Sequence, residues 1–237
     1  HISDINFPYS EHAKNNLINE GLHPSSIIKT GSPMREVLEY SKEAINNSKI
    51  LSKLKLDKNE YFIASIHREE NVDCPKKLNQ IIESLDEIIS KYNLKIVLSL
   101  HPRTKQKIAK QKIKLNKNIL QSSPFGFHDY IQLQKNSFCV ISDSGTIFEE
   151  SSILSFPAIT IREATERPEG IDEGTVIMCN GLDKNTILKS IDICIAQYNN
   201  HPPSIPFDYD VKQVSWKILK SIMSYKDYIN KKTWFKD

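Results

Sequence analysis

The sequence of 237 residues has no apolar run approaching the roughly 18 residues that a membrane-spanning helix needs. Its first residues do not resemble a secretory signal peptide either, and they lack an initiator Met. Neither sign of charge dominates, since 32 Lys and Arg face 29 Asp and Glu. These absences argue against a membrane protein and give no indication of nucleic-acid binding. The missing Met leads us to expect a piece of a longer chain.

Cysteine is scarce. The four residues Cys74, Cys139, Cys179 and Cys194 are far apart and form no C-x-x-C pair. Cys139 and Cys194 lie in apolar periodic runs, which predicts buried, reduced thiols rather than disulfides or metal ligands. A reducing, cytoplasmic location is therefore expected.

The common phosphate and nucleophile motifs are also missing. The chain contains no Walker P-loop, no G-x-G-x-x-G, no G-x-S-x-G and no metal-ligand cluster. Without a metal-ligand cluster, we expect no metal site. A phosphate site in this chain would be more typical of a nucleotide-sugar protein than of an ATPase or a dehydrogenase.

Short apolar runs alternate with amphipathic stretches along the whole chain, which predicts an α/β fold with a doubly wound, mainly parallel sheet. The predicted strands are 5–9, 26–30, 61–66, 94–100, 118–121, 138–141, 158–161 and 175–178. The predicted helices are 10–20, a tract from 31 to 54, 78–89, 105–112, 127–134, 147–154, 187–196 and 211–228. A polar loop is predicted for 162–174.

Polar, reactive residues cluster directly after four of these strands. They are His67-Arg68-Glu69, His101-Pro102-Arg103, Ser142–Thr146 and Arg162–Glu169. In open α/β sheets, ligands bind beyond the carboxyl ends of the strands. We therefore expect the four loops to converge on one binding crevice.

The stretch Ser142–Thr146 links a buried strand to a helix through small residues. A Gly in such a turn lets a ligand approach the backbone, and the helix N-terminus favours a phosphate. Glu149 and Glu150 in the first turns would repel a phosphate unless one is aimed elsewhere, and a carboxylate suits a sugar diol. The alternative is an ordinary helix N-cap.

The loop Arg162–Glu169 contains five charged residues. It could present an Arg, whose planar fork matches phosphate oxygens, or it could be a set of solvated ion pairs. His67 could contact a phosphate or act as an acid or base, although a lone His is more often structural. Among Phe125, Phe127 and Tyr130, an aromatic ring could stack on a base, and core packing is the alternative for each.

Three blocks carry a family resemblance. His67–Asn71, Ser142–Glu150 and Thr165–Glu169 resemble, in order and spacing, the signature blocks of the non-hydrolysing UDP-N-acetylglucosamine 2-epimerases. The family commonly has a second Gly and a Gln where this chain has Thr146 and Phe148. The flanking stretches 4–12, 31–36 and 162–170 resemble one branch more closely, which forms UDP-N-acetyl-L-fucosamine from its L-talose precursor for capsule or O-antigen.

The resemblance implies two facing Rossmann-like domains, as in B-type glycosyltransferases, of which this chain would supply the C-terminal one. Residues 1–30 would then end the N-terminal domain, 31–210 would form the UDP-binding domain, and 211–237 would return toward the N-terminal domain. It further implies UDP and a UDP-2-acetamido sugar as ligands, no cofactor, and a homodimer in the full-length form.

The resemblance also implies residue roles. The diphosphate would be held by Ser144, Gly145 and Thr146, and the ribose hydroxyls by Glu150. Arg167 and His67, the latter catalytic, would contact phosphate and the reacting region. Phe125 or Gly126, with Tyr130, would lie against the uracil. Arg68 and His101 match positions where some members bind a second, regulatory UDP-sugar.

The implied reaction removes the C2 proton, expels UDP to give a 2-acetamidoglycal, and re-adds UDP as C2 is reprotonated on the other face. The proton-transfer groups would lie largely in the N-terminal domain. Two alternatives remain open. One is a glycosyltransferase of the same fold, against which Thr165–Glu169 argues. The other is a non-catalytic UDP-sugar-binding remnant.

Overall fold

The structure is a computed structural model that describes residues 2–236. The chain forms two compact units. A central unit consists of Ser41–Ser204, and a terminal unit combines the chain up to Tyr40 with the chain from Ile205 onward. The division predicted at residues 30 and 210 refers to the domains of a longer protein and stays a prediction.

Residues 2–236 form twelve α-helices, α1–α12, and six strands, β1–β6. The helices are α1 Glu11–Asn19, α2 Met34–Tyr40, α3 Lys42–Asn46, α4 Ile50–Leu54, α5 Glu69–Val72, α6 Pro75–Tyr92, α7 Pro102–Lys110, α8 Phe127–Asn136, α9 Ile147–Leu154, α10 Pro168–Asp172, α11 Lys184–Asn200 and α12 Val214–Lys232. The strands are β1 Tyr61–Ser65, β2 Lys95–Ser99, β3 Ile119–Ser122, β4 Cys139–Ser142, β5 Ala158–Thr160 and β6 Ile177–Met178.

The sheet of the central unit is entirely parallel, with the order β3-β2-β1-β4-β5-β6. The register pairs Ser65 at the end of β1 with Ser99 of β2 and Ser142 of β4. The strand order reverses between β1 and β4, so the loops after these two strands flank the switch point where such sheets bind ligands. The predicted doubly wound parallel sheet is confirmed.

The strands are apolar on both faces because helices cover the sheet on both sides. Phe62 and Ile141 on the strands are buried in one core with Leu85 of α6 and Ile191 of α11. α6 carries its apolar residues at three- and four-residue steps, as a helix that buries one face must. Cys139, Cys179 and Cys194 are buried and free, which confirms the predicted thiols at Cys139 and Cys194.

The terminal unit departs from the prediction. The strands predicted at 5–9 and 26–30 are wrong, because these segments share an isolated parallel bridge between Asn6 and Ile27. Pro8 has no N–H to extend a ladder, and Pro24–Ser26 forms a 3₁₀ helix. The helix predicted at 10–20 is confirmed: the Ser10 side chain accepts from the Ala13 N–H at its start, and Gly21 follows its end at φ 91°.

Two further segments differ in detail. The helical tract predicted from 31 to 54 is divided into α2, α3 and α4. The polar loop predicted at 162–174 contains the short helix α10, since Pro168 is already suited to a first helical turn. Within the range 2–236, no helix combines the length and the apolar character needed to cross a membrane.

Candidate functional site

Asp143, directly after β4, holds three loops of the central unit together. Its side chain is fully buried. The backbone N–H groups of His67 and Arg68 each donate to Oδ2 at 2.9 Å, and Asn71 Nδ2 donates to the same oxygen at 3.2 Å. Asn71 Nδ2 also donates to the Ile161 carbonyl at 3.0 Å, which adds the loop after β5. Asp143 and Asn71 together therefore connect the loops that follow three adjacent strands.

The His67 ring is oriented by the same carboxylate. Its Nδ1 lies 2.9 Å from Asp143 Oδ1, so Nε2 is the nitrogen available to a ligand. The hydrogen bond to Asp143 raises the pKa of His67, although burial and the Arg68 charge oppose this. Burial alone would raise the pKa of Asp143, but its bonds with His67 and neighbouring donors hold that pKa below its usual range. The imidazole, whose side chain is 44% exposed, is thus biased toward its cationic form.

The glycine turn leads from β4 into α9. The Ser144 N–H donates to Ser142 Oγ at 3.1 Å, and the hydroxyls of Ser144 and Thr146 lie 3.0 Å apart. A Cβ on Gly145 would lie 3.4 Å from Arg162 Nη1. That distance is van der Waals contact, so the glycine turn lies directly against this guanidinium.

Arg162 follows β5 and is 4% exposed. Its Nη2 donates to Glu166 Oε2 at 2.6 Å, and Glu166 Oε1 lies 3.5 Å from Arg68 Nη2. In the described part of the chain, Nε and Nη1 of Arg162 have no hydrogen-bond partner. A buried cation with two such groups is an unusual feature at the mouth of a sheet.

Glu149 and Glu150 are both buried but face different partners. Glu149 Oε2 lies 3.6 Å from Arg167 Nε, so this acid pairs with the loop arginine. Glu150 Oε2 accepts from Gln134 Nε2 at 2.7 Å. Burial raises the pKa of Glu150, with the hydrogen bonds from Gln134 and Thr146 opposing the rise.

The residues expected to meet a base lie at the start of α8. Phe125 is half-buried, and the exposed Gly126 is the N-cap of the helix. The Tyr130 hydroxyl is buried and has no hydrogen-bond partner of good geometry within residues 2–236. Burial, and then the charge of the nearby Glu150, raises the pKa of Tyr130.

Comparison with known proteins identifies the family. A sequence model described as UDP-N-acetylglucosamine 2-epimerase matches residues 1–223.

The chain belongs to the UDP-N-acetylglucosamine 2-epimerase family.

Structures of related epimerases are known. The UDP-N-acetylglucosamine 2-epimerase structure from Rickettsia bellii is 42% identical with a TM-score of 0.90, covering 100% of this chain and 63% of that one. The Methanocaldococcus jannaschii UDP-GlcNAc 2-epimerase, solved in complex with UDP-GlcNAc and UDP, is 31% identical with a TM-score of 0.85, covering 94% and 62%. These matches confirm the predicted Rossmann-like, B-type glycosyltransferase-like fold class.

The chain spans little more than half the length of a curated relative. The UDP-N-acetylglucosamine 2-epimerase of M. jannaschii is 36% identical over 208 residues, which cover 84% of this chain and 56% of that protein.

In this epimerase-family chain, the predicted residues fall into three groups. His67, Arg68 and the Ser144–Thr146 turn surround the Asp143 and Arg162 side chains, and Arg167 joins α9 through Glu149. Tyr130 and Glu150 form a second group. His101 is exposed, accepts from the Arg103 N–H, and belongs to a loop that Arg103 pairs with Glu69 and Asp73.

The sequence did not single out Asp143, Gln134 or Asn71, and it did not decide which arginine of the loop Arg162–Glu169 would meet an anion. The only signal for Asp143 and Arg162 is position, since Asp143 comes directly after β4 and Arg162 follows β5 after Ile161. Both lie at the carboxyl edge of the sheet, where a polar residue is more often functional than at the opposite edge.

Proposed function

We propose that this chain supplies the UDP-binding part of an enzyme that inverts C2 of a UDP-2-acetamido sugar by eliminating and re-adding UDP. The observation that carries the proposal is the convergence of His67, the glycine turn and the arginine loop at the switch point of an epimerase-family sheet. The complex of the M. jannaschii relative with UDP-GlcNAc and UDP supports it.

The diphosphate is assigned to the start of α9. Gly145 and Thr146 offer backbone N–H groups, and Ser144 and Thr146 offer hydroxyls, at a helix N-terminus that favours an anion. Arg167 and the cation-biased His67 add positive charge. As UDP leaves, negative charge grows on the diphosphate, and groups already fixed in place stabilise it without reorganisation. His67 is the catalytic residue we assign within this chain.

The uridine is assigned to Glu150 of α9 and to the residues at the start of α8. Glu150 would accept the ribose hydroxyls, and Phe125 or Gly126, with Tyr130, would lie against the uracil. Gln134 holds one oxygen of Glu150, and an ionised carboxylate has lone pairs left for hydroxyl donors. Gln134 therefore orients the carboxylate without excluding the ribose.

The finer identity of the enzyme is part of this proposal. The sugar would be the L-talose precursor of UDP-N-acetyl-L-fucosamine, or UDP-N-acetylglucosamine giving UDP-N-acetylmannosamine, for capsule or O-antigen synthesis in the cytoplasm. The complete enzyme would be a homodimer, and Arg68 with His101 could bind a regulatory UDP-sugar.

Because the chain spans 56% of a curated relative, a non-catalytic UDP-sugar-binding protein is the second candidate. Following C2 deuterium uptake by UDP-sugars in heavy water separates the two.

Arg167→Ala should weaken UDP binding by on the order of 10- to 100-fold, because a hydrogen bond to a charged partner contributes about 1.5–3 kcal/mol. The substitution also removes the arginine that pairs with Glu149. Calorimetric titration with UDP measures the effect. Lys184→Ala, which removes a surface cation paired with Glu87, is the control and should bind UDP normally. Equal affinities for the Arg167→Ala and unsubstituted chains would remove Arg167 from the site.

Glu150→Gln should weaken UDP binding while leaving the melting temperature nearly unchanged, if Glu150 accepts ribose hydroxyls. The same substitution should matter less for 2′-deoxy-UDP, which has one hydroxyl fewer. A role confined to the helix start predicts the reverse, namely a loss of about 0.3–1 kcal/mol of stability with little change in affinity. Calorimetry with both nucleotides and thermal unfolding together decide between the two roles.

A further inference from the structure

The Arg162 guanidinium is buried with too few acceptors. Within residues 2–236, its Nη2 donates a hydrogen bond to Glu166, whereas Nε and Nη1 have no hydrogen-bond partner. A buried cation and a buried N–H group without a partner each cost free energy, so such groups are seldom retained without a use. The missing partner must be an acceptor, since guanidinium has only donors.

The free edge of this guanidinium faces the glycine turn. A Cβ on Gly145 would lie 3.4 Å from Arg162 Nη1 and 3.9 Å from Arg68 Nη2. Two guanidinium groups therefore lie beside the one residue of the turn that has no side chain, just before the first turn of α9. Both cations and the helix dipole favour an anion at this place.

The Glu166 carboxylate already occupies part of the space between the two guanidinium groups. Glu166 lies between the two arginines, with Oε2 2.6 Å from Arg162 Nη2 and Oε1 3.5 Å from Arg68 Nη2. Its Oε1 is also 3.6 Å from the position of a Cβ on Gly145. The side chain is 57% exposed, so it can turn outward into solvent. Burial alone would raise the pKa of Glu166, but the hydrogen bond from Arg162 holds it below the usual range, so the group is an anion.

We propose that Arg162 binds a phosphate of the nucleoside diphosphate, and that Glu166 holds the guanidinium until the phosphate displaces it. This rests on the proposed function and adds to it a residue and an exchange of anions. The phosphate takes the acceptor position beside Nη1 that the carboxylate leaves unfilled. Arg162 and Glu166 then act in opposite directions, since one attracts the phosphate and the other competes with it.

Binding of UDP, pyrophosphate and uridine to this chain tests the proposal. Arg162→Gln should weaken UDP and pyrophosphate binding by on the order of 10- to 100-fold. Uridine, which has no phosphate, should bind Arg162→Gln as it binds the unsubstituted chain. Arg162→Lys, which keeps the charge but loses the planar fork, should fall between the two. Glu166→Gln should bind UDP several-fold more tightly, because the competing charge is gone.

Lys184→Gln is the control, since it removes an exposed cation that pairs with Glu87 outside the site. It should leave all three affinities unchanged. A purely structural role for Arg162 would lower uridine and UDP affinity together, lower the melting temperature, and give Glu166→Gln no gain; that pattern would overturn the proposal. If Arg162→Gln does not fold, Arg162→Lys and the sign of the Glu166→Gln effect decide.

Pyrophosphate separates this proposal from the function on which it rests. If pyrophosphate binding depends on Arg162 and UDP binds no more tightly than pyrophosphate, the anion site is supported and a UDP site is contradicted. If UDP binds but substitutions at Arg162 and Glu166 do not change its affinity, the UDP site is supported and the role of Arg162 is overturned. Binding of neither probe to the unsubstituted chain would overturn both.

Discussion

In heavy water with UDP-N-acetylglucosamine, the 237-residue chain should incorporate no deuterium at C2, and no epimer should form. Joined in cis to the portion of the R. bellii relative that it does not cover, it should do both. The reason is chemical: the base and the acid for C2 are assigned to that portion, and each proton-transfer group contributes about 10²–10⁴-fold to the rate. Binding of UDP should survive in the isolated chain, although weakly.

Helix α12 of the terminal unit gives a second reason to expect this. Trp216, Leu219 and Ile222 are exposed, whereas Val214 on the same helix is buried. Apolar side chains exposed together are typical of a surface that another part of the protein covers. We expect the joined form to unfold at a higher temperature than the isolated chain for this reason.

The R. bellii enzyme is the positive control for the exchange assay, and the joined chain with His67→Ala should be slow while still folded. C2 exchange catalysed by the isolated chain would contradict the assignment. The proton-transfer groups would then lie within these residues, and His67 with Glu69 would be examined first.

Asp143→Asn should cost about 1–3 kcal/mol of stability, the range seen when a buried hydrogen-bonding group loses its partner. The substitution places an amide where the carboxylate accepts from His67, Arg68 and Asn71. It should also lower the pKa of His67, since the bond to Asp143 is the main cause of its elevation. Urea unfolding gives the first effect and an NMR titration of the imidazole gives the second.

The pH dependence of the loss has a defined sign. The raised pKa of His67 contributes stability that is fully present below its unfolded value of about 6.5 and is lost as pH rises through the folded pKa. The lowered pKa of Asp143 contributes stability that is present above about 3.9 and is lost as pH falls through its folded value. Asp143→Asn should therefore destabilise the chain more at pH 5.5 than at pH 8.5.

Asp192→Asn is the control for both measurements. Asp192 is exposed and pairs with Lys91 and Tyr92, so its loss should cost less than about 1 kcal/mol and leave His67 unaffected. A cost for Asp143→Asn no larger than this would show that the three loops are held together by something other than its carboxylate.

The central unit was largely predictable from the sequence because its signals are local. Each strand is a short apolar run, and each reactive loop directly follows one, so the parallel sheet and its binding edge follow from the order of residues. The expectation that one of Glu149 and Glu150 is aimed away from a phosphate also has a physical basis here, since Glu150 is bonded to Gln134.

The connections between loops were not predictable, because they depend on which strands are neighbours. Asp143 can accept from His67 and Asn71 only because β4 lies beside β1, and Arg162 can lie against Gly145 only because β5 lies beside β4. Nothing in the sequence near either residue records that order. The strands predicted at 5–9 and 26–30 are wrong for a related reason. These two short segments, each beside a proline, form a single β-bridge and no ladder.

The most direct test of a UDP site at the carboxyl edge of the sheet is to titrate the chain with UDP while following its backbone amide NMR signals. We predict saturable changes that are largest at Ser144, Gly145 and Thr146, with further changes at His67 and Arg167. Uridine should reproduce the changes near Tyr130 and Glu150 but not those at the glycine turn. Saturable changes confined to other residues, or no change at millimolar UDP, would contradict the account.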